Sequence, residues 1–508
     1  MFRGHPKGLI AAAIANMGER FGFYTMMAIL SLFIQSKFGL SGTNTGYIYA
    51  TFYASIYILA LVGGLIADKT RNYKGTIMMG LVVMSIGYAL MSIPSKTPVE
   101  NVPLMLTLTC LGLFVIAFGN GLFKGNLQAL VGQMYDNLKD DSKRDSGFSI
   151  FYMFINIGAI FAPFTAIGVR NWWLRNNGFE YNSDLPGLCH SYLDGSITPE
   201  ASASMQNLAE QVSGSTVGDL GVFAGEYLNV FTTGFHYAFA VAIIAMAISF
   251  VVYMINKKSF PNPKGVAKDD QGNVVETIEM DVKEIRQRMY ALFAVFGIVI
   301  FFWFSFHQNG LTLTFFARDY TLLRIGSWEL SAEVFQSMNP FFVVFLTPII
   351  VGIFGWLNSK GIEPSTPKKI AIGMFIAGLG FVVMSVGSVG LPLFSEINPA
   401  TGGTPLADAQ RVTPFLLMGT YFILTVAELF ISPLGISFVS KVAPPKYQGI
   451  MQGGWLGATA VGNQLLFIGA ILYDTVPIWM TWGIFVIACV ISMLTMIFML
   501  KWLERVAK

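Results

Sequence analysis

The chain has 508 residues and a formal net charge of +3 at pH 7; 54% of its residues are apolar and only 12% are charged. Average soluble domains carry about 25% charged residues, so this composition excludes a disordered chain, a disulfide scaffold and a soluble multidomain enzyme. The three cysteines lie far apart and form no CxxC pair. The composition therefore predicts a polytopic membrane protein.

Twelve apolar runs are each long enough to cross a bilayer as a helix, which needs roughly 20 mainly apolar residues. They lack the alternation over about ten residues that is typical of barrel strands. The sequence therefore predicts an all-α membrane protein with twelve transmembrane helices, at approximately 9–34, 45–67, 75–93, 103–130, 147–167, 235–256, 289–309, 334–357, 369–392, 411–434, 449–472 and 477–502.

The distribution of basic residues indicates the orientation. Most of the 32 Lys and Arg residues fall on one side of the predicted spans, as in the segment with Lys69, Arg71 and Lys74. Cytoplasmic loops carry such an excess of basic residues, so the N-terminus is predicted to be cytoplasmic. The even number of spans returns the C-terminus to the same side.

Two long segments between spans suggest the domain organisation. Residues 168–234 form a predicted outer loop, and the sequence leaves open whether this loop is an ordered flap or flexible. Residues 256–288 form a cytoplasmic linker that begins polar and ends as a predicted amphipathic helix. We therefore predict a six-helix bundle at 1–255, the linker at 256–288 and a second six-helix bundle at 289–508.

Several ionisable residues lie inside the predicted spans, where each costs about 2.5–3.5 kcal/mol and tends to be functional. The cations Arg20 and Lys124 belong to the first half, whereas Glu428 stands alone in the second half. A cavity with one positive and one negative wall would suit a small zwitterion. The alternative is structural: Glu19, Arg20 and Lys124 would hold helices together, and His307 would be a packing residue.

Short motifs on seven spans carry a family resemblance. Residues 18–24, with Glu19 and Arg20, are similar to the E-x-x-E-R-F motif of the proton-coupled oligopeptide transporters, and residues 121–126, with Lys124, are similar to that family's fourth-helix lysine motif. Residues 64–71 resemble a loop motif of the larger major facilitator superfamily. Further matches follow in family order: 148–159, Phe302-Trp303 with Gln308, Asn339-Pro340, 428–433, Gly454-Trp455 and Gly462-Asn463.

The resemblance implies the major facilitator fold, in which two bundles rock around a midplane site. It implies that Arg20 and Lys124 hold a peptide carboxylate, because both are cations, and that Glu428 holds the amino group. The other positions that it assigns to substrate binding are Tyr24, Tyr57, Asn156, Asn339, Ser432 and Trp455, and it assigns a cytoplasmic gating latch to Asp68 and Arg71. Core packing remains the alternative for the aromatic residues, and helix–helix contact for Asn156.

Two departures from the family pattern fall on the proton-coupling positions. Asn16 stands where the family has the first Glu of E-x-x-E-R-F, and His307 stands where it usually has an acid before the seventh-helix Gln. The remaining candidates for proton coupling are Glu19, Glu428 and His307, because an imidazole titrates between pH 5 and 8. Phe23, where relatives commonly have Tyr, removes one hydroxyl from the expected pocket.

We therefore predict a secondary active importer of di- and tripeptides that is driven by protons and works as a monomer in a plasma membrane, such as a bacterial inner membrane. The alternatives are a transporter of another peptide-like or anionic solute and a membrane sensor with vestigial transport. The sequence contains no HExxH, Gly-x-Ser-x-Gly or ATP-binding loop. No enzymatic activity, catalytic residue, cofactor, metal or nucleic-acid partner is expected.

Overall fold

The computed structural model describes residues 5–136, 144–261, 282–444 and 447–506. Within these ranges the chain is mainly helical, with one short hairpin of β1 (Arg324–Ile325) and β2 (Trp328–Glu329). The α-helices are α1 (Gly8–Phe38), α2 (Gly42–Thr70), α3 (Tyr73–Ser92), α4 (Val102–Asp136), α5 (Arg144–Asn176), α6 (Leu185–Leu193), α7 (Pro199–Ser213), α8 (Leu220–Asn256), α9 (Val282–Phe306), α10 (Thr312–Asp319), α11 (Met338–Ser359), α12 (Thr366–Gly387), α13 (Phe394–Ile397), α14 (Pro414–Val442), α15 (Gln448–Gln464), α16 (Leu466–Thr475) and α17 (Ile478–Val506).

Twelve helical segments in the described ranges are long and apolar enough to cross a membrane. This number confirms the predicted spans and the all-α membrane fold. The seventh segment combines α9 and α10, and the eleventh combines α15 and α16. We call the side that carries both chain termini the inner side and the opposite side the outer side; that the inner side is cytoplasmic stays a prediction.

The spanning helices pack as two sets. The first set consists of α1 to α5 and α8, and the second of α9 to α12 and α14 to α17; α2 packs against α15 and α16 across the interface, and α5 packs against α11. Glycines allow the closest approaches within a set: a Cβ at Gly63 of α2 would lie only 2.1 Å from the carbonyl oxygen of Gly121 on α4. Close backbone contact of this kind drives helix association in a bilayer, where no hydrophobic effect operates between helices.

The predicted outer loop at 168–234 is shorter and more ordered than its boundaries suggest. Helix α5 continues to Asn176, and α8 already begins at Leu220, where the side chain of Asp219 accepts hydrogen bonds from the backbone N–H groups of residues 221 and 222 at 2.8 and 3.1 Å. The prediction ended the fifth span too early and began the sixth too late, because it followed apolar runs, whereas both helices extend beyond them through polar residues. Helices α6 and α7 lie in between.

The seventh span continues beyond its predicted end at residue 309, and it is interrupted at the polar residues 307–310. A 3₁₀ turn at His307–Gly310 separates α9 from α10, and a second 3₁₀ segment at Ala332–Ser337 leads into α11. These turns rotate the following residues relative to a regular helix. They direct Asn309 and Gln336 toward the centre of the molecule.

The predicted latch lies on the inner side. Asp68 accepts a hydrogen bond from the Tyr73 hydroxyl, and Arg71 ends α2 in the left-handed conformation with φ of 52°. Both side chains are exposed. Of the predicted linker at 256–288, residues 262–281 lie outside the described residues; residues 282–288 form the first turns of α9, as the amphipathic pattern predicts.

Candidate functional site

A cavity of about 110 Å³ lies between the two sets of helices, about halfway along α1 and α14. Its walls are rich in hydroxyl and amide groups. The first set contributes the polar residues Tyr24, Tyr49, Tyr53, Tyr152 and Asn156, and the second contributes Asn309, Gln336, Asn339 and Glu428. Four of the predicted binding residues, Tyr24, Asn156, Asn339 and Glu428, therefore line one cavity.

Lys124 of α4 lies beside this cavity, next to Tyr57. Its Nζ atom lies 4.3 Å from the centroid of the Tyr57 ring, and within the described part of the chain the residue makes no ion pair. An ammonium group over an aromatic face gains a modest electrostatic attraction, but that contact does not neutralise its charge. Lys124 and Tyr57, both predicted to bind substrate, are thus direct neighbours.

Glu428 of α14 forms the negative wall of the cavity. One carboxylate oxygen accepts a hydrogen bond of 2.8 Å from the Asn339 side-chain amide, which also donates to Thr425 at 3.0 Å. Across residues 5–136, 144–261, 282–444 and 447–506, no cation pairs with this carboxylate. Its partner is therefore a neutral amide, and its charge stays uncompensated within the protein.

Arg20 differs from Lys124 because its charge is already satisfied. Its guanidinium binds the adjacent Glu19 through two hydrogen bonds, of 2.5 and 2.8 Å, and Glu19 also accepts one of 2.7 Å from Asn120. Both charged groups are buried, and the Arg20 guanidinium lies 5.0 Å from the Phe23 ring. This geometry fits the structural alternative, because the Glu19–Arg20 pair lies within α1 and Glu19 also binds Asn120 of α4.

The remaining predicted residues surround the cavity at a greater distance. Trp455 is 3% exposed and packs against Gly435, where an added Cβ would collide with the indole ring. Ser432 lies one helical turn beyond Glu428 on α14 and is half-buried. The structure therefore brings Trp455 and α14 together, but it does not place Trp455 or Ser432 on the cavity wall.

His307 is enclosed by aromatic rings. Its Nδ1 atom lies 2.5 Å from the side-chain oxygen of Asn463, and its ring stacks on Trp303 at 4.7 Å between centroids and lies 4.8 Å from Tyr53. Asn16, the other departure from the family pattern, is also buried. His307 thus has a packing environment, although its neighbour Tyr53 lines the cavity.

Sequence reasoning missed several cavity residues. Tyr49 and Tyr53 precede Tyr57 at spacings of four, and Tyr152 precedes Asn156 by four, so helical periodicity places them on the faces that carried predicted residues. That signal was available in the sequence. Asn309 and Gln336 gave no such signal, because their positions depend on the two 3₁₀ turns.

The outer ends of the two sets are joined by polar contacts. Arg411 donates to Asp184 at 2.6 Å, and Asp474 accepts hydrogen bonds from Thr43 at 2.7 and 2.8 Å. Burial raises the pKa of the Asp184 carboxyl, and the neighbouring Arg411 opposes this rise. Two further contacts are the ion pair Arg170–Glu333 and the hydrogen bond from Arg318 to Gln35. These contacts hold the outer side closed in this conformation.

Comparison with known proteins places this architecture in a family. The chain is 27% identical over 479 residues to the peptide transporter YePEPT of Yersinia enterocolitica, covering 91% of this chain and 87% of the relative. It is 26% identical over 520 residues to dipeptide and tripeptide permease B of Xenorhabdus bovienii, covering 99% and 96%. A solved POT family transporter in complex with 5-aminolevulinic acid has the same fold, with a TM-score of 0.73, 20% identity, and coverage of 100% of this chain and 98% of that one.

The match extends along most of the spans. The model of the POT family matches residues 74–278 and 266–480, which include the fourth-helix lysine, the interrupted seventh span and Glu428. The resemblance inferred from the motifs is thus confirmed, and so is the expectation of a transporter rather than an enzyme. The chain is a multi-pass membrane transporter, and it belongs to the POT family.

Proposed function

We propose that the protein imports di- and tripeptides by alternating access, with the peptide held between Lys124 and Glu428. The observation that supports the proposal is that Lys124 and Glu428, on opposite sets of helices, each form no ion pair with another described residue. A peptide with free termini is a zwitterion, so its carboxylate would pair with Lys124 and its ammonium with Glu428. Neither side chain forms an ion pair with another described residue, so both would gain from the same ligand.

The neutral polar groups between these charges suit the peptide backbone. The side-chain amide of Asn156 donates a hydrogen bond of 3.1 Å to the Tyr152 carbonyl, within its own helix, and the residue lines the cavity. Asn339 already donates a hydrogen bond to Glu428 and would therefore lie close to the ammonium group of the substrate. Tyr24, Tyr53 and Tyr152 supply hydroxyl groups and ring surfaces that accommodate different side chains. The residues that line the cavity would be supported from outside by Ser432, Tyr57 and Trp455.

The same sites suggest how protons enter the cycle. Glu428 would exchange a proton when the substrate ammonium leaves, because a lone carboxylate in a closed cavity is unfavourable. Glu19 would take part in proton coupling through its hydrogen bonds to Arg20. His307 would take part through its contacts with Tyr53 and Asn463. Asp68 and Arg71 would act as the inner latch. One chain supplies the whole cavity, so we propose that the monomer transports.

A smaller zwitterion is the second candidate substrate. The cavity of about 110 Å³ in this outer-closed conformation favours compact ligands, and an amino-acid conjugate would meet the same two charges. The solved relative noted above forms a complex with 5-aminolevulinic acid. Binding of such a ligand in preference to a dipeptide would favour this candidate.

The test is uptake of a labelled dipeptide into proteoliposomes with and without an imposed inward proton gradient. We expect accumulation above the outside concentration only with the gradient, and competition by unlabelled di- and tripeptides. A peptide with both termini blocked is the matched control and should not compete. Equal uptake with and without protein would contradict peptide transport, and equilibration without accumulation would contradict coupling.

A further inference from the structure

A second cavity, of about 280 Å³, lies at the outer side of the molecule and is larger than the central cavity of about 110 Å³. The first set of helices, with α6 attached to it, forms one wall together with the turn between α1 and α2. The second set forms the other wall through the end of α10, through α13 and through the turn at Pro399–Thr401. Gly39, Gly187 and Ala400 are exposed, so the cavity is open to the outer water. None of the described residues that line it also lines the central cavity.

The two guanidinium groups at this outer cavity are fully engaged. In Arg318, Nε and Nη2 donate to Asp319 at 2.6 and 2.9 Å, and Nη1 donates to Gln35. In Arg411, Nη2 donates to Asp184 at 2.6 Å, and the other two nitrogens donate to backbone carbonyl groups. An anionic ligand would therefore compete with existing partners at both cations.

Hydrogen-bond acceptors at the same cavity are open. Oδ2 of Asp184 binds Arg411, whereas Oδ1 has only a contact of 3.5 Å with the Ser183 hydroxyl among the described residues, which is long for an O–H···O hydrogen bond. His190 donates from Nε2 to the Ser36 carbonyl at 2.8 Å, and burial lowers the pKa of its imidazole, so Nδ1 carries a lone pair at neutral pH. Asp184 and His190 both line the cavity, so its wall offers acceptors rather than donors.

Negative charge is in excess around the outer cavity. Asp184 and Asp319 line it, and Asp474 adjoins it at Gly42, where an added Cβ would lie 2.7 Å from the Asp474 Oδ1 atom. These three carboxylates face the two engaged guanidinium groups. Charge complementarity therefore favours a cationic ligand.

Aromatic side chains form much of the remaining wall. The rings of Tyr181 and Phe231 stack at 5.9 Å between centroids, and Phe394 lines the cavity from the second set. Arg170, which lies near both stacked rings, is paired with Glu333, so this part of the wall adds no net charge. Apolar walls with a few polar groups are typical of small-molecule sites. A ligand with an aromatic body would bury apolar surface here, which favours binding.

We propose that this outer cavity is a second ligand site, which binds a primary amine with an aromatic or other apolar body. The ammonium group donates hydrogen bonds to Asp184 and His190, and the body contacts Tyr181 and Phe394. A ligand carboxylate would find no unengaged cation among the described residues here, so the ligand is a free amine rather than a peptide. The site is separate from the peptide cavity and does not depend on the proposed function.

Occupation of this site depends on the conformation. The two walls belong to different sets of helices, so the complete cavity exists only while the outer ends are together. A ligand that binds one conformation shifts the equilibrium toward it by a factor of 1 + [L]/Kd. At ten times its Kd, the amine raises the ratio of outer-closed to outer-open protein about 11-fold. The amine therefore inhibits transport without entering the peptide cavity.

The test is direct binding of tryptamine to the purified full-length chain, measured by isothermal titration in detergent. We expect saturable binding, whereas indole-3-propionate, with a carboxylate in place of the ammonium group, should bind about 10-fold more weakly or worse, since hydrogen bonds to a charged group contribute at least that factor. Glu428→Gln removes the proposed ammonium partner in the central cavity and should keep the wild-type affinity for tryptamine. A dipeptide should not displace tryptamine from that variant. Loss of tryptamine binding in Glu428→Gln, or displacement by the dipeptide, would overturn the proposal.

Cavity-filling variants test the outer site itself. Gly187→Leu enlarges the wall formed by α6, where an added Cβ would lie 4.0 Å from Pro399, and should weaken tryptamine binding by roughly 10-fold or more through overpacking. Dipeptide binding should stay unchanged in this variant. Ala203→Leu, at an exposed position of α7, is the matched control and should bind tryptamine as the wild type does. Ala400→Leu fills the cavity from the second set and replaces Gly187→Leu if that variant fails to fold.

Three results would contradict the amine site. They are no binding at millimolar tryptamine, equal affinity for the two indole probes, and undiminished tryptamine affinity in the cavity-filling variant. Absence of dipeptide binding in the wild type would contradict the proposed function instead, and it would leave the tryptamine measurement valid.

Discussion

The central cavity and the outer contact region differ in whether their charged side chains form ion pairs. At the outer side, Arg411 and Arg170 each pair with a carboxylate from the other set of helices. In and beside the cavity, Lys124 lies over an aromatic ring and Glu428 accepts from an amide, and neither forms an ion pair with another described residue. Paired charges stabilise one conformation, whereas charges without an ion-pair partner can pair with a charged ligand. Charges without an ion-pair partner therefore distinguish the region that we propose as the substrate site from the outer contacts.

The variant with the largest expected effect on this contrast is Glu428→Gln. We expect dipeptide binding to weaken by roughly 30-fold to several-thousand-fold, because loss of a buried charged partner costs about 2–5 kcal/mol. Isothermal titration with a dipeptide in detergent measures the loss, and folding should be unaffected because Gln keeps the bond with Asn339. Glu100→Gln, at an exposed outer position, is the control. Wild-type affinity in Glu428→Gln would show that the ammonium binds elsewhere.

A smaller effect should distinguish Lys124 from Arg20. In Lys124→Ala we expect peptides with a free C-terminus to lose about 10-fold to 150-fold in affinity, since a hydrogen bond to a charged group contributes about 1.5–3 kcal/mol, while C-terminally amidated peptides lose little. Arg20→Ala should affect both ligands alike, because Arg20 is bound to Glu19. Competition uptake with matched free and amidated dipeptides measures both. A larger free-acid preference at Arg20 than at Lys124 would reverse the two assignments.

The smallest effect concerns His190 of α6, at the outer side. Burial lowers the pKa of its imidazole below 6.5, and a hydrogen bond to the Ser36 carbonyl opposes this shift. The folded state therefore disfavours the protonated ring, so the stability of the α6 attachment is full above pH 6.5 and is lost as pH falls through the lowered pKa. Hydrogen exchange of α6 should become faster over that range. His190→Gln should remove the pH dependence; an unchanged pH dependence would exclude His190 as its source.

The sequence predicted the fold because bilayer physics leaves few choices. Twelve long apolar runs can satisfy their backbone groups only as helices, and the in-span charges Lys124 and Glu428 stood out because such residues are rare there. The pairing of Arg20 with Glu19 was not predictable, because neighbouring residues on a helix do not normally face each other. The contacts of Arg170 and Asp184 depend on residues more than 150 positions away.

The ordered segment between α5 and α8 shows a further limit. Its helices carry local signals: Thr198 caps α7, and Ala201, Met205, Ala209 and Val212 form one buried face. These signals are short and easily missed beside the long apolar spans. The docking of α6 on α8 and on the turn at Pro399–Thr401 requires knowledge of both sets of helices.

Because of that docking, a reagent that binds α6 or α7 could report or control the conformational state of the transporter. Tyr227 of α8 and Ser36 of α1 hold the segment on the first set of helices, through Asn182 at 3.1 Å and His190 at 2.8 Å, so it moves with that set. An antibody fragment that recognises only the exposed face of α7, with Ala203, Asn207 and Gln211, would bind every state alike. A fragment whose epitope spans α6 and the turn at Pro399–Thr401 would instead arrest the transporter with its outer side shut.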